Sequence, residues 1–384
     1  MAIYLSFKEI WRNKGRFLLF SMVIALITLL VLFIAALGEG LANVNKEYLE
    51  KLDAQLFVFQ ENVDRSALTS RLDRDKLNAV RRVPGVKAAG PLGISNAYLV
   101  FNNNRPQLKV TLVGVEGEQP GSIPVLFGQN FKTERGNDIV IDMNIANQRG
   151  IQVGDTISIK SIQGTKDEYY DLRVSGIADS HQYQYSPTVF IPYVTWDKVR
   201  PQPSTPNTRM PLVANVIVVQ IQNPKEITTM EAAIKEAVPG IEVVDKQQTI
   251  LSLPGYTAQQ STLNTQAFFT LLIGVLVIGG FFQIQMLQKI PQIGVLKAIG
   301  TSNLSIALTV IYQIVLITTF GVILGIITTL ALSLALPEGI PIAFNGTSVF
   351  TAIIALLLIG PLGGLVTVRL ATSVEPLIAL GLSQ

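Results

Sequence analysis

Phosphoryl chemistry would need a glycine-rich loop of the form G-x-x-x-x-G-K-[ST], whose backbone cradles phosphates. No such loop occurs in these 384 residues, so ATP is not bound by that route. Zinc chemistry would need clustered cysteine or histidine. The sequence has no cysteine, and its one histidine, His181, sits in the polar run DSHQYQYS, where it reads as a surface residue. Carboxylates are scattered, and no serine lies in a nucleophile elbow. Neither a catalytic constellation nor a metal or cofactor site is expected in this chain. The residues best arranged for work are apolar and lie in KIPQIGVLKAIGTSNLS, residues 289–305. There Ile293, Leu296 and Ile299 or Gly300 share one helical face, with Gln292 and Lys297 elsewhere. A short amphipathic helix tethered between two apolar spans can dock in a groove of a peripheral protein. The same pattern also fits an interfacial helix with nothing bound. The candidate docking segment comprises Gln292, Ile293, Gly294, Val295, Leu296, Lys297, Ala298, Ile299 and Gly300.

The elements that must position this segment are four charge-free stretches, residues 17–37, 267–287, 304–336 and 349–368. Each is long enough to cross a hydrocarbon core of about 30 Å at about 1.5 Å per helical residue. Their main polar interruptions, Gln283, Gln285, Tyr312 and Gln313, carry no charge. Residues 17–37 exceed a signal peptide's apolar core and lack a clear A-x-A site, so an uncleaved first span is expected. The mean hydropathy of +0.41 averages over this apolar material and a different middle. Residues 41–262 carry 23 basic and 23 acidic side chains and read as a soluble domain. The other basic residues, Lys8, Arg12, Lys14, Arg16, Lys289, Lys297 and Arg369, all flank spans and mark the cytoplasmic side. Both termini are therefore expected inside and the middle domain outside. The net charge of +3 reports this topology and gives no sign of nucleic-acid binding.

No ionisable group interrupts the spans, which disfavours an ion-coupled carrier needing carboxylates at mid-membrane depth. Gly321 and Gly325, and Gly360, Gly363 and Gly364 around Pro361, read as close helix contacts. Residues 39–54 keep helical spacing through Leu41, Val44, Tyr48 and Leu52 and would carry the first span onward as a stalk. Residues 258–265 would form the matching return. The stalk positions singled out are Glu39, Val44, Tyr48, Leu52, Gln259 and Leu263. Between the stalks, strands are expected at 55–60, 86–89, 108–115, 138–142, 156–160, 172–177, 189–191 and 216–221. Helices are expected at 74–83, 143–148 and 227–238. The first and last of these end in VPGV and VPGI, an echo fitting either a duplicated helix–strand unit or simple punctuation. Residues 201–211, proline-rich and poor in apolar groups, suggest a mobile surface loop.

The stretch IGVLKAIGTS resembles the coupling-helix signature of the FtsX/MacB-like permeases, the membrane subunits of type VII ABC transporters. The opening LSFKEIWRNKGRFLLF, the middle IVIDMNIANQRGIQVGDTISI and the terminal VEPLIAL are similar to the same family, so the resemblance spans nearly the whole chain. It departs at Gln292, where the family usually has an acidic residue, and in having no nucleotide-binding domain fused as in MacB. The resemblance implies a dimer with a second permease copy or paralogue, bound to separate ATPase subunits that carry ATP and Mg. ATP-driven closure would move stalks and outer domains without passing substrate between the spans, a mode called mechanotransmission. The closer likeness is to exporters of the MacB and cyanobacterial glycolipid (DevC) type, which work with a membrane-fusion adaptor protein; the lipoprotein-releasing branch ranks second.

The expected fold is an α-helical membrane protein with four transmembrane helices and a mixed α/β extracytoplasmic domain inserted between the first and second spans. Its expected parts are an interfacial helix (1–16), the first span (17–37), stalks and outer domain (38–266), the second span (267–287), a coupling-helix loop (288–303), the third span (304–336), an outer loop (337–348), the fourth span (349–368) and a tail (369–384). The expected function is that of a non-enzymatic ABC-transporter permease of a bacterial cytoplasmic membrane, in contact with its lipids and extruding a hydrophobic or amphiphilic substrate. Residues 292–300 would engage the ATPase through Ile293, Leu296 and Ile299 as apolar anchors and Lys297 as a polar contact. The alternative is a membrane regulator that exports nothing and signals to an extracytoplasmic hydrolase or sensor.

Overall fold

The computed structural model describes residues 14–101, 106–131, 133–179, 182–202, 212–336 and 340–373. Expectations for residues 1–13, His181, the loop after Gln202, Glu338 and the terminal VEPLIAL lie outside the described residues. The chain divides into two compact units, residues 42–258 and residues 1–41 with 259–384.

In chain order the α/β unit holds the end of α1 (Lys14–Lys51), β1 (Leu56–Gln60), β2 (Leu72–Asp73), α2 (Arg74–Arg81), β3 (Val86–Val100), β4 (Leu108–Val115), β5 (Val125–Gly128) and β6 (Asp138–Asp142). It continues with α3 (Met143–Arg149), β7 (Thr156–Gln163), β8 (Lys166–Ala178), β9 (Thr188–Pro192), α4 (Tyr193–Val199), β10 (Val213–Ala214), β11 (Val216–Ile221), α5 (Ile227–Ala237), β12 (Ile241–Asp245) and α6 (Lys246–Leu251). Local chemistry sets several boundaries. Asp142 and Asp245 accept from the Asn144 and Gln248 amides at 2.6 Å and so cap α3 and α6. α2 and α5 both run into Val-Pro-Gly turns whose glycines, Gly85 and Gly240, hold φ of 93° and 70°. A Cβ disfavours that left-handed region.

The two Val-Pro-Gly turns occupy equivalent places in the topology. The sheet begins in the order β12-β1-β11-β3, and each of these pairings is antiparallel. α2 lies between β1 and β3 in sequence, and α5 between β11 and β12. This is a split β-α-β pair, the ferredoxin-like arrangement, with each Val-Pro-Gly turn closing its helix before the second strand. Strands β4 to β9 are inserted between its halves and continue the same sheet as β4-β9-β6-β8-β5. β3 joins the two parts because it is 15 residues long, pairing β11 at one end and β4 and β7 further along. Gly93 and Gly114 face each other across β3 and β4, and a side chain on either would collide with Trp196 of α4. The pair of glycines makes a bed for the indole, which is buried and donates to Ser95 Oγ at 3.0 Å.

The other unit combines the first part of α1 with α7 (Tyr256–Ala298), α8 (Asn303–Ala335) and α9 (Gly346–Ser373). All four helices are long and apolar enough to cross a membrane. Lipid supplies no hydrophobic drive between helices, so contact rests on close packing of small residues. A Cβ on Gly321 would stand 2.9 Å from the Ser21 carbonyl oxygen, and one on Gly325 equally close to that of Ala25, so α8 lies directly on α1. Gly364 packs on Ile314, and Gly279 meets the Gly363 backbone, which joins α9 to α8 and α7. Phe20 and Phe281 meet edge-on at 4.6 Å between α1 and α7. The protein is thus a four-span membrane protein with a mixed α/β domain between its first and second spans.

One local expectation is corrected. Residues 288–298 form no separate short helix in a loop but the last three turns of α7. Pro291 sits inside that helix, at the cost of one backbone donor to the carbonyl of Leu287. Only residues 299–302 lie between α7 and α8.

Candidate functional site

The turn from α7 to α8 is built by two residues. Gly300 takes φ of 95°, with its amide bonded to the Lys297 carbonyl and that of Thr301 to Leu296, at 2.9 and 3.0 Å. These are the two bonds of a Schellman stop, which needs a residue tolerant of left-handed backbone. Ser302 then caps α8, its hydroxyl accepting from the Ser305 amide at 3.3 Å. Two residues later the second helix is under way, so both helix ends are held in a short, defined hairpin.

The last turns of α7 have two different faces. Met286 and Ile293 point into the bundle and cluster with Ile306 of α8 and Ala371 of α9. Lys289 and Lys297 flank Ile293 at four-residue spacing on that same side. Lys289 Nζ donates to Gln313 Oε1 at 3.2 Å and lies 5.8 Å from the centre of the Phe17 ring. Lys297 Nζ donates to the Thr372 carbonyl at 2.7 Å. The other face, with Gln292, Val295 and Ala298, is exposed. Ile299 is 78 % exposed where Ile293 is 6 %, and Leu296 is 42 % and Leu304 70 % exposed.

This corrects two of the proposed contacts. At 100° per residue, Ile293 and Ile299 stand about 120° apart around the helix, so one cannot anchor a partner alongside the other. Ile293 serves the bundle's own core, and Lys297 holds α9. Val295, Leu296 and Ile299 remain available. Leu304, which sequence reasoning assigned to the third span, joins them because the tight turn leaves it exposed at the start of α8. The signal for it was Gly300 with Ser302, which already specifies a short reversal.

The stalk positions separate in the same way. Glu39 accepts from Asn345 Nδ2 at 3.4 Å, and Leu263 packs on Gly38, all within the helical unit. Val44 is half-buried, and Tyr48 and Leu52 are built into the core of the α/β unit. The Tyr48 hydroxyl donates to the Gly121 carbonyl at 3.1 Å, and its ring meets those of Tyr183 and Phe190. Asp179 and residues 182–185 clasp this end of α1. Lys51 pairs with Asp179 at 2.9 Å, the Gln182 amide donates to Glu47 Oε2, and the Gln184 amide donates to the Asn45 carbonyl. Lys246 Nζ donates to the Leu52 carbonyl at 2.6 Å and to that of Glu50 at 3.1 Å, which closes the helix end. Burial pulls the Lys246 amine below its ordinary value, against the attraction of Asp53 and Glu50. Gln259 is half-buried on α7.

Among the described residues no group of three acidic or histidine side chains is placed to hold a metal. A cleft of about 500 Å³, open to solvent, is lined by Glu61, Asp64, Lys235 and the Arg65–Glu242 ion pair at 2.6 Å. Its charges are mixed and exposed, and they form no reactive set.

Two families match this chain. Residues 17–237 match the MacB-like periplasmic core domain, and residues 264–376 match the FtsX-like permease C-terminal region. The chain is similar to a hemin transport system permease protein, HrtB, of Staphylococcus haemolyticus. Identity is 26 % over 378 residues, covering 98 % of this chain and 99 % of that one. Its likeness to the HrtB protein of a Staphylococcus epidermidis strain is 23 % over 380 residues, with 99 % of each chain covered. A macrolide export ATP-binding/permease protein, MacB, of Psychrobacter cryohalolentis shares 22 % over 334 residues, 79 % of this chain and 47 % of that protein. Among solved structures, the extracellular domain of the ABC-type transporter YknZ from Gram-positive bacteria aligns with 12 % identity and a TM-score of 0.36. It covers 50 % of this chain and 98 % of that one. The periplasmic region of MacB from Actinobacillus actinomycetemcomitans aligns with 14 % identity and a TM-score of 0.37, covering 53 % and 94 %.

Proposed function

This chain belongs to the MacB/FtsX-like ABC-transporter permeases, and from that premise we propose that it couples a separate ATPase subunit to movement of its extracellular domain. The ATPase, which holds ATP and Mg, docks on Val295, Leu296, Ile299 and Leu304 at the α7–α8 turn. That turn faces the cytoplasm together with both chain termini, in keeping with Lys289 and Lys297 beside it. The permease works with a second copy or a paralogue. α1 and the first turns of α7 relay the motion, and the α/β domain handles the cargo or an adaptor protein. The cargo is hydrophobic or amphiphilic, and the names of the HrtB relatives make hemin the first substrate to test.

The observation that carries this reading is the exposure of four large apolar side chains beside a turn fixed by Gly300 and Ser302. In lipid such side chains would be unremarkable, but a turn flanked by lysines sits at the interface, where an apolar surface favours a protein partner. Affinity purification of the tagged chain from native membranes, with an ATPase assay on the co-purifying protein, tests it. The expected result is an ATPase whose association is lost with Leu296→Asp. An unaltered association in that variant would overturn the docking assignment.

A further inference from the structure

We infer that Lys297 is a positioning residue that locks the docking arm to the fourth span, so that force on the arm moves the bundle; this rests on the docking reading above. The side chains of Met286, Lys289, Ile293 and Lys297 recur at spacings of three, four and four and form one inward stripe on α7. Its members contact the other three spans. Lys289 reaches Gln313 of α8 and the Phe17 ring of α1, while Ile293 packs with Ile306 and Ala371. Lys297, the last, reaches the Thr372 carbonyl at 2.7 Å.

Thr372 lies in the last described turn of α9, and its carbonyl is the acceptor that Lys297 reaches. An ammonium placed there from another helix makes a charge-assisted hydrogen bond, shorter and stronger than a neutral one. The lysine stem crosses the half-buried flank of the arm, and the docking side chains Val295 and Ile299 stay on the opposite face. Without this contact the arm is still a helix and still presents its apolar face. What it loses is the directional polar tie between the end of the arm and α9, beyond the apolar contacts of Ile293 with Ala371 and of Gly279 with Gly363. Docking and transmission therefore separate at this residue, with docking on the outer face and transmission on the inner one.

The test uses the full chain with its co-purified ATPase in lipid nanodiscs. The chain has no cysteine of its own, so spin labels can be placed on cysteines at Phe127 and Leu334, both exposed. In otherwise native protein, ATP is expected to shift the distance between the labels; no shift there would overturn the coupling reading on which the inference rests. Lys297→Met is expected to keep ATPase affinity within about twofold while abolishing that shift, and Lys297→Arg, which can still donate to the carbonyl, to restore it. If Lys297→Met does not assemble, Lys297→Gln is read by the same two measurements. Loss of affinity comparable with Leu296→Asp would make Lys297 a partner contact and overturn the inference, leaving the docking surface intact. A normal shift in Lys297→Met would also overturn it. Failure of the docking reading shows differently, as unchanged ATPase affinity in Leu296→Asp.

Discussion

Two isoleucines six positions apart on one helical arm should fail in opposite ways when cut back to alanine. Ile299 exposes 78 % of its surface, so Ile299→Ala opens no cavity and should leave the permease as stable as before. Full burial of an isoleucine contributes about 1.5–3 kcal/mol, so covering that exposed part in a complex contributes ~1–2 kcal/mol. Losing it weakens the ATPase complex by about five- to thirtyfold. Ile293 is 6 % exposed and packs with Met286, Ile306 and Ala371. Ile293→Ala should destabilise the bundle by about 2 kcal/mol, the low end of the core range, because lipid can partly refill the gap. Its direct effect on the ATPase contact should be small. Thermal unfolding in detergent gives the first quantity, and titration of purified ATPase onto permease nanodiscs gives the second. The reasoning is refuted if Ile299→Ala lowers the unfolding midpoint with no change in affinity, or if Ile293→Ala weakens docking while stability stays constant.

Further outcomes follow from the same geometry. Gly325→Leu should force α8 off α1, where Thr28 and the Ala25 carbonyl leave no room, at a cost of roughly 1–3 kcal/mol or more; thermal stability in detergent reports it. Tyr48→Phe removes a buried hydroxyl from the Gly121 carbonyl and should destabilise the α/β domain by ~1 kcal/mol, read by denaturant unfolding through the fluorescence of Trp196. Gly300→Val places a β-branched residue at φ of 95° and should fray the α7–α8 turn by about 1–2 kcal/mol, seen as faster amide exchange at Gly300 and Thr301. Burial, with the hydrogen bond to Glu168, pushes the Tyr170 phenol up to about 12. An unfolded tyrosine ionises near 10, so this group's contribution to stability is present below about pH 10 and is lost as pH rises toward 12. Ultraviolet difference titration should show a phenol ionising near 12 in the native chain that is missing in Tyr170→Phe.

The spans were legible because the bilayer demands long uncharged helices, and the sequence outside residues 17–37, 267–287, 304–336 and 349–368 does not imitate them. Several strands were legible from alternation and β-branched content; β4, β6 and β11 fall where the pattern places them. The Val-Pro-Gly echo pointed to a real equivalence, since both turns close the helix of a split β-α-β unit. Other elements carried weaker signals. β5, with Leu126 and Phe127 exposed at the sheet edge, lacks an inward-facing pattern, and α4 and α6 are too short for helical periodicity to build up. Pro291 reads locally as a break, yet α7 runs through it because one missing donor costs less than ending a packed helix. Within the docking arm, periodicity shows which residues share a face but not which face the other spans will cover. That choice is made by Ile306, Ala371 and Gln313, distant in sequence, and it reverses the roles first expected for Ile293 and Lys297.

Lys297 also explains why charge counting alone could not find its role. A lysine beside a span is selected first for topology, by the asymmetry of charge across the membrane. That selection is satisfied wherever the amine reaches the interface, so sequence cannot distinguish a solvated lysine from a bonded one. The fold adds a second use for the same charge at two places. Lys246 closes the end of α1 through the Leu52 and Glu50 carbonyls, and Lys297 reaches the Thr372 carbonyl of α9. In both, an ammonium from one element meets backbone carbonyls of a helix in another. Such a contact is polar, directional and made without apolar area, which suits a junction that must hold its geometry while the surfaces around it slide. A larger apolar seam would bind as firmly but would specify the angle less well, since hydrophobic contact is non-directional. The two lysines therefore stand where the chain most needs defined angles, at the outer end of its first long helix and at the arm proposed to receive the force.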